Sequence, residues 1–287
     1  MFQRQKTGSV LCPSCGSLVG VNDETCLSCG RRRPGLFGFA SLLRKTGDDM
    51  GFLGIVLFGC GAMLVASLLG STEIEMGNLM AMLAPDWYAM MQFGGTGAIP
   101  VFRLGRWWTV LSYGWLHGGV VHIVFNMMAA RNLIPAIAEL YGPARTVIIY
   151  TAGTIGGGLL SSTVGAYGGP YLPSFLHGAP LAIGASGAIF GLLGALAYYG
   201  RRGGSRGIDQ MAWGWILSGL AFGFLMGRID NWAHLGGLAG GYFTAKWLDP
   251  LHPERGDHVI VAVVCLVASL AAIVASLLVP LPFARPD

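Results

Sequence analysis

The sequence predicts an all-α polytopic membrane protein that carries a small metal-binding module at its N-terminus. Three observations predict it. Hydrophobic residues make up 53% of the 287 positions and charged ones only 11%, where a soluble domain carries roughly a quarter charged. Glycine is in excess at 46 residues, as expected where membrane helices approach one another closely. Two Cys-x-x-Cys pairs stand in a polar, basic first segment.

Residues 1–35 form the first unit. Cys12-Pro13-Ser14-Cys15 and Cys26-Leu27-Ser28-Cys29 are separated by ten residues, and each pair is followed by a glycine, Gly16 or Gly30. Such turns present two thiolates each to one tetrahedral ion, so the segment reads as a zinc ribbon with Cys12, Cys15, Cys26 and Cys29 as ligands. A segment this short is expected to be unable to fold on its own core, so that metal binding supplies its folding energy. A disulfide framework is the competing reading, and a reducing cytosol disfavours it. The ribbon is either a structural knob or a docking module for a cytosolic partner. Residues 36–50 are a linker. Arg31-Arg32-Arg33-Pro34 followed by Gly35-Leu36-Phe37-Gly38-Phe39 suits contact with anionic headgroups.

At about 20 apolar residues per span, seven segments qualify, near 51–70, 107–130, 144–165, 180–200, 211–227, 231–248 and 258–279. No cleavable signal peptide is visible, so the first span is expected to act as the insertion signal. With the N-terminus in the cytosol, fourteen of the 18 Lys and Arg fall on that side, Arg44, Lys45 and Arg131 among them. Only Arg103, Arg106, Arg228 and Arg285 fall on the other. That is the positive-inside bias. It accounts for the basic balance without a nucleic-acid partner, and it suits a bacterial inner membrane. The stretch 51–250 is expected to be the catalytic core, and 251–287 a seventh helix and tail.

Chemistry concentrates in three spans. The second carries Trp115-Leu116-His117-Gly118-Gly119-Val120-Val121-His122-Ile123-Val124-Phe125-Asn126. His122 and Asn126, four apart, share a helix face, and His117 is expected nearer the external end. The fourth span opens on Gly184-Ala185-Ser186-Gly187, with Phe190 one turn below the serine. The sixth carries Ala233-His234-Leu235-Gly236-Gly237. An ionisable residue in a span is costly and usually functional. Ser186 and His234 therefore read as nucleophile and base. His122, Asn126 and the Ser186 backbone N–H read as donors to an oxyanion, each worth roughly 3–4 kcal/mol. No acid lies deep in any span. Asp230, one turn before His234, reads as a helix cap, which favours a Ser–His dyad over a triad. Gly237 and Gly241 form a small-x-x-x-small stripe that brings the sixth helix close to a neighbour.

These residues, in this order and on the second, fourth and sixth spans, resemble the rhomboid intramembrane serine proteases over roughly residues 50–250. The resemblance implies a six-helix core, water access from the external face, no cofactor for catalysis, and transmembrane protein substrates entering laterally from the bilayer. It implies the dyad and oxyanion roles argued above, with His117 and Gly184 supporting the site. It also implies that Phe190, one turn after the serine, stacks on His234. The seventh helix matches a family variant. One departure stands out: the family's Trp-Arg pair at the end of the first external loop is here Trp108-Thr109, with Arg106 displaced.

That first loop, 71–106, carries Trp87, Tyr88, Met90, Met91 and Phe93 and is expected to lie in the membrane interface. The stretch 167–180 is expected over the serine. His177 reads as a loop histidine, and His252 and His258 carry no assignment. Two other classes of function compete: a catalytically silent relative that binds membrane clients, and a transporter with a proton relay. The presence of both Ser186 and His234 disfavours the first, and the absence of deep carboxylates the second.

Overall fold

The computed structural model describes residues 4–40, 49–77, 82–169, 171–173, 176–226 and 229–283. Arg44, Lys45, Gly227, Arg228 and Arg285 lie outside the described residues.

The protein is an all-α polytopic membrane protein. Its long helices are α1 (Phe52–Leu69), α2 (Val120–Tyr141), α3 (Pro143–Tyr167), α4 (Ser186–Arg202), α5 (Arg206–Met226), α6 (Asn231–Leu248) and α7 (Gly256–Leu278). By length and composition α1, α2, α3 and α7 can each cross a membrane. α4 has 17 residues and α6 has 18. Both are held against α3 and each other, so they need little apolar surface of their own.

Glycine makes that inner packing possible. A Cβ built at Gly237 would run into the Gly187 carbonyl, and one at Gly241 into the Gly191 carbonyl. On the far side of α6, Gly236 and Gly156 of α3 meet in the same manner. α3, α4 and α6 therefore form a triple helix contact almost backbone to backbone. α5 packs chiefly on α4 and leaves Leu217, Phe224 and Leu225 outward.

Three predicted boundaries need correction. The span placed at 107–130 begins at Val120 and continues to Tyr141. Residues 109–115 are two short turns of helix that end at Trp115. Gly119, with φ +125°, breaks the chain direction just before α2. Arg131, expected beyond the span, consequently lies within it on an exposed face. The span placed at 180–200 starts only at Ser186, because the backbone of 179–182 is non-helical and bonded to the first loop. Thr96 and Ala182 exchange backbone hydrogen bonds of 2.9 and 2.7 Å.

The first loop is ordered around a short helix, Trp87–Gln92, capped by Asp86, whose Oδ1 accepts from the Ala89 N–H at 2.7 Å. Arg106 is buried beneath it and donates to the carbonyls of Met91 (2.7 Å), Gln92 (3.2 Å) and, at the end of α7, Ser276 (2.8 Å). Thr109, where the family resemblance would put arginine, donates to the Arg106 carbonyl at 2.7 Å.

At the N-terminus, β1 (Ser9–Leu11) and β2 (Leu18–Gly20) pair antiparallel. Val10, Val19, Val21, Cys12 and Cys26 make a small separate core. This module docks on the end of the bundle where α3 and α7 begin, through Arg31 and Glu254 at 3.2 Å.

Candidate active site

The beginnings of α2, α4 and α6 meet at the opposite end of the bundle. Gly184 has a left-handed φ of +124°, and a Cβ there would lie 2.7 Å from His122 Nε2. Glycine is required by conformation and by space together. The Ser186 Oγ lies 3.9 Å from that same point. His122 and Ser186 thus border one small volume in front of Gly184.

His122 Nδ1 accepts from the Gly118 N–H at 3.2 Å. A neutral imidazole that accepts at Nδ1 carries its proton on Nε2, the nitrogen that faces Gly184. Asn126 donates to the His122 carbonyl at 3.0 Å. One amide hydrogen is therefore spent along its own helix and the other is left over. Ser186 opens α4, so its backbone N–H is one of the donors that a helix leaves unfilled at its start.

His234 sits in the first turn of α6. Its ring stacks flat on Phe190, with centroids 4.1 Å apart and planes 8° apart. It is 5% exposed, and its Nδ1 has no protein partner among the described residues. Ser186 and His234 share no hydrogen bond among the described residues; the helices that carry them touch at Gly187 and Gly237, and the His234 ring stacks on Phe190, one turn below Ser186.

Asp230 caps α6: its Oδ1 accepts from Trp232 N (3.0 Å) and Ala233 N (3.1 Å), and its Oδ2 from Ser161 Oγ. Its carboxylate makes no hydrogen bond to the His234 ring among the described residues.

His117 is not on a helix, contrary to the expected position on the second span. It lies in the link ahead of α2, because the preceding helical turn ends at Trp115, where Leu116 turns extended, and α2 starts only after Gly119. Its ring is 1% exposed, 5.1 Å from that of His122, and neither nitrogen has a protein partner among the described residues.

Sequence reasoning missed Tyr113. Its hydroxyl donates to the Thr154 carbonyl at 2.8 Å and its carbonyl accepts from the Gly184 N–H at 3.0 Å. It wedges against Gly157 and Gly187, and so fixes the strand leading into Ser186. A tyrosine four residues before His117 inside an apolar stretch was the available signal. The loop over this end is tied down by Trp232, whose Nε1 donates to the Leu176 carbonyl at 2.9 Å. His177 bonds within its own loop, to the Leu172 carbonyl at 3.0 Å.

The sequence pattern of the Rhomboid domain matches residues 104–249, just over half of the 287. The chain belongs to the rhomboid family. Rhomboid protease GluP of Bacillus subtilis (strain 168) is 39% identical over 147 residues, 50% of this chain and 26% of that protein. YdcA of the same organism is 34% identical over 149 residues, 49% of this chain and 67% of YdcA. RHOMBOID-like protein 4 of Arabidopsis thaliana is 28% identical over 193 residues, 62% of this chain and 43% of that protein. The chain thus spans about a quarter of GluP and under half of the plant relative. The rhomboid region contains every residue of the cluster around Ser186. The cysteine module, α1 and α7 fall outside it.

In that module the four ligand atoms of Cys12, Cys15, Cys26 and Cys29 lie within 4.8 Å of one another. Cys12 and Cys29 are 3.7 Å apart and Cys15 and Cys26 3.6 Å. Burial pushes the Cys29 thiol up to about 12, whereas at Cys15 burial is outweighed by hydrogen bonding with Ser17, which brings it down to about 6. Four thiols this close can hold a metal ion.

Proposed function

We propose that this rhomboid is an intramembrane serine endopeptidase with Ser186 as nucleophile and His234 as base. The observation that carries the reading is the His234 ring, stacked on Phe190 and held beside the start of α4 by the Gly187–Gly237 contact. In the proposed reaction Ser186 Oγ attacks a peptide carbonyl carbon while His234 takes the hydroxyl proton. The carbonyl electrons collect on oxygen, where the His122 Nε2–H, the free Asn126 amide hydrogen and the Ser186 N–H stabilise them. Collapse expels the amine, which leaves with the proton from His234, and water then releases the acyl group by the same route. His117, Gly184 and Gly237 hold the surroundings in place. Asp230 is spent as a cap, so the reading is a dyad.

The substrates are transmembrane segments of membrane-anchored proteins. A stable helix hides its carbonyls within its own hydrogen bonds, so small or helix-breaking residues near the cut favour cleavage. The chain resides in a bacterial inner membrane, with the ribbon in the cytosol and Ser186 toward the external face. Residues 1–35 hold one structural Zn²⁺. A Zn–S bond of about 2.3 Å implies S···S separations of about 3.8 Å, close to the 3.6–3.7 Å between paired thiols. The ion ties two turns together, and a cytosolic partner can dock on the result.

Labelling of the detergent-solubilised protein with a fluorophosphonate tests the dyad. The expected result is labelling of the wild type that vanishes in Ser186→Ala and in His234→Ala. An unlabelled wild type that retains its fold and resists even a small probe would favour the client-binding reading instead.

A further inference from the structure

A groove of about 560 Å³ opens between the cysteine module and the first turns of α7, at the end of the bundle away from Ser186. One wall is the basic run Arg31-Arg32-Arg33. The other is apolar, made by Leu36 and Phe37 from the module and Val259 and Ile260 from α7. Glu24 adds a single carboxylate. Arg32 and Arg33 are exposed, and the Arg33 guanidinium lies 4.6 Å from the centre of the Phe37 ring. Arg31 is only 4% exposed. One of its terminal nitrogens bonds Ser14 Oγ (2.6 Å) and Glu254 Oε1 (3.2 Å), yet its Nε is buried without a protein partner among the described residues.

The backbone is bent to build this wall. Arg33, Leu36 and Phe37 all have left-handed φ, at 47°, 49° and 56°, a conformation that costs non-glycine residues of order 1–3 kcal/mol each. The bend turns Phe37 outward, where it is 57% exposed. Below the groove α7 continues with an open apolar face of Ile260, Val263, Val264 and Val267. Positive charge at the rim and an apolar floor that runs on into the membrane-facing surface of a helix complement one molecule: a lipid with a negative headgroup.

We propose that this groove binds an anionic glycerophospholipid of the surrounding bilayer. The phosphate sits among the guanidinium groups of Arg31–Arg33, and an acyl chain passes over Phe37 and Ile260 along α7. Arg31 then joins three partners, Ser14, Glu254 and the lipid phosphate, so the cysteine module is held to the bundle partly through lipid. The proposal stands apart from the chemistry at Ser186.

Native mass spectrometry of the full-length, detergent-solubilised protein, titrated with phosphatidylglycerol or phosphatidylcholine of the same acyl chains, tests it. The wild type is expected to retain phosphatidylglycerol preferentially. The double variant Arg32→Gln/Arg33→Gln is expected to lose about tenfold or more of that preference. Both side chains are exposed, so the variant should fold, and a retained metal content verifies that it has. Phe37→Ser is expected to weaken both lipids while sparing the preference between them. Equal retention of the two lipids by the wild type, or an undiminished preference in the double variant, would overturn the proposal. Complete competition by glycerol phosphate, which lacks acyl chains, would overturn it in favour of a simple anion site.

Discussion

The two ends of the bundle bury polar groups in opposite ways. At the end bearing the cysteine module, Glu254 is enclosed and fully engaged. Its Oε1 meets Arg31, its Oε2 accepts from the Ala144 and Arg145 N–H groups at 2.8 and 3.1 Å, and its carbonyl accepts from Ser14. Arg145 beside it donates to the carbonyls of His252 (2.7 Å) and Pro253 (2.9 Å) and to His258 Nδ1 (3.1 Å). At the Ser186 end, both nitrogens of His117 and Nδ1 of His234 have no protein partner among the described residues. Apart from Arg31 Nε, which is buried without a partner among the described residues, the polar atoms named at the module end satisfy one another, and a buried network of that kind is a structural joint. Buried groups left unpaired cost free energy, and persist where something else is meant to meet them. The comparison separates scaffold from site without reference to any relative.

The largest expected effect lies in the satisfied end. Glu254→Ala strands Arg31 and uncaps the start of α3, and breaking a buried pair in this way costs about 3–5 kcal/mol. Burial raises the Glu254 carboxyl above its ordinary value, against hydrogen bonding from Arg145 and the charge of Arg31. The neutral isostere Glu254→Gln should therefore cost much less than alanine. Thermal unfolding in detergent and protease susceptibility of residues 1–40 would measure both. If alanine and glutamine prove equally harmless, the network is not what joins module to bundle. Chelation of the metal proposed for the cysteine module sharpens the same contrast. The module is expected to become protease-sensitive, while fluorophosphonate labelling at Ser186 persists.

A middle-sized effect is expected in the glycine contact. Gly237→Ala places a methyl against the Gly187 carbonyl, and overpacking of this kind costs about 1–3 kcal/mol. The same methyl pushes His234 away from Ser186, so labelling should fall far more than stability does. Gly207→Ala, at an open position of α5, is the control and should change neither. A Gly237→Ala protein with wild-type labelling would break the claim that backbone packing sets the two residues side by side.

What the sequence made legible follows from how each feature is encoded. Length and hydropathy carry the helices, and the spacing of cysteines carries the module, because both are local patterns. The boundary at Val120 was not legible. Residues 107–119 carry no charged side chain and run straight into the apolar stretch that follows, but Gly118 and Gly119 turn the chain, and the hydrogen bond from Gly184 to Tyr113 gives 112–117 a place outside α2. The start of α4 was not legible for a similar reason, since 179–182 are held out of the helix by bonds to Thr96, Ala98 and Ile99, far away in sequence. The Glu254 joint was invisible. Its members come from 14, 31, 144–145 and 252–258, and no local pattern brings such distant positions together. The cap at Asp230 was readable because it lies next to the helix it starts.

The smallest effect concerns the ring stack that His234 makes. Its face lies on Phe190 at 4.1 Å, and an aromatic pair contributes about 0.5–1.5 kcal/mol beyond the area it buries. The stack is expected to do more than add stability, since with Nδ1 unpartnered among the described residues a flat neighbour helps to hold the imidazole plane. Phe190→Leu keeps most of the volume but removes the flat surface. It should shift the unfolding temperature slightly and slow fluorophosphonate labelling by up to about tenfold, the equivalent of roughly 1.4 kcal/mol. Phe190→Tyr keeps the face and should label at nearly the wild-type rate. If leucine labels as fast as tyrosine, orientation of His234 comes from the helix alone, and the unpaired imidazole is less dependent on its neighbours than the contrast between the two ends implies.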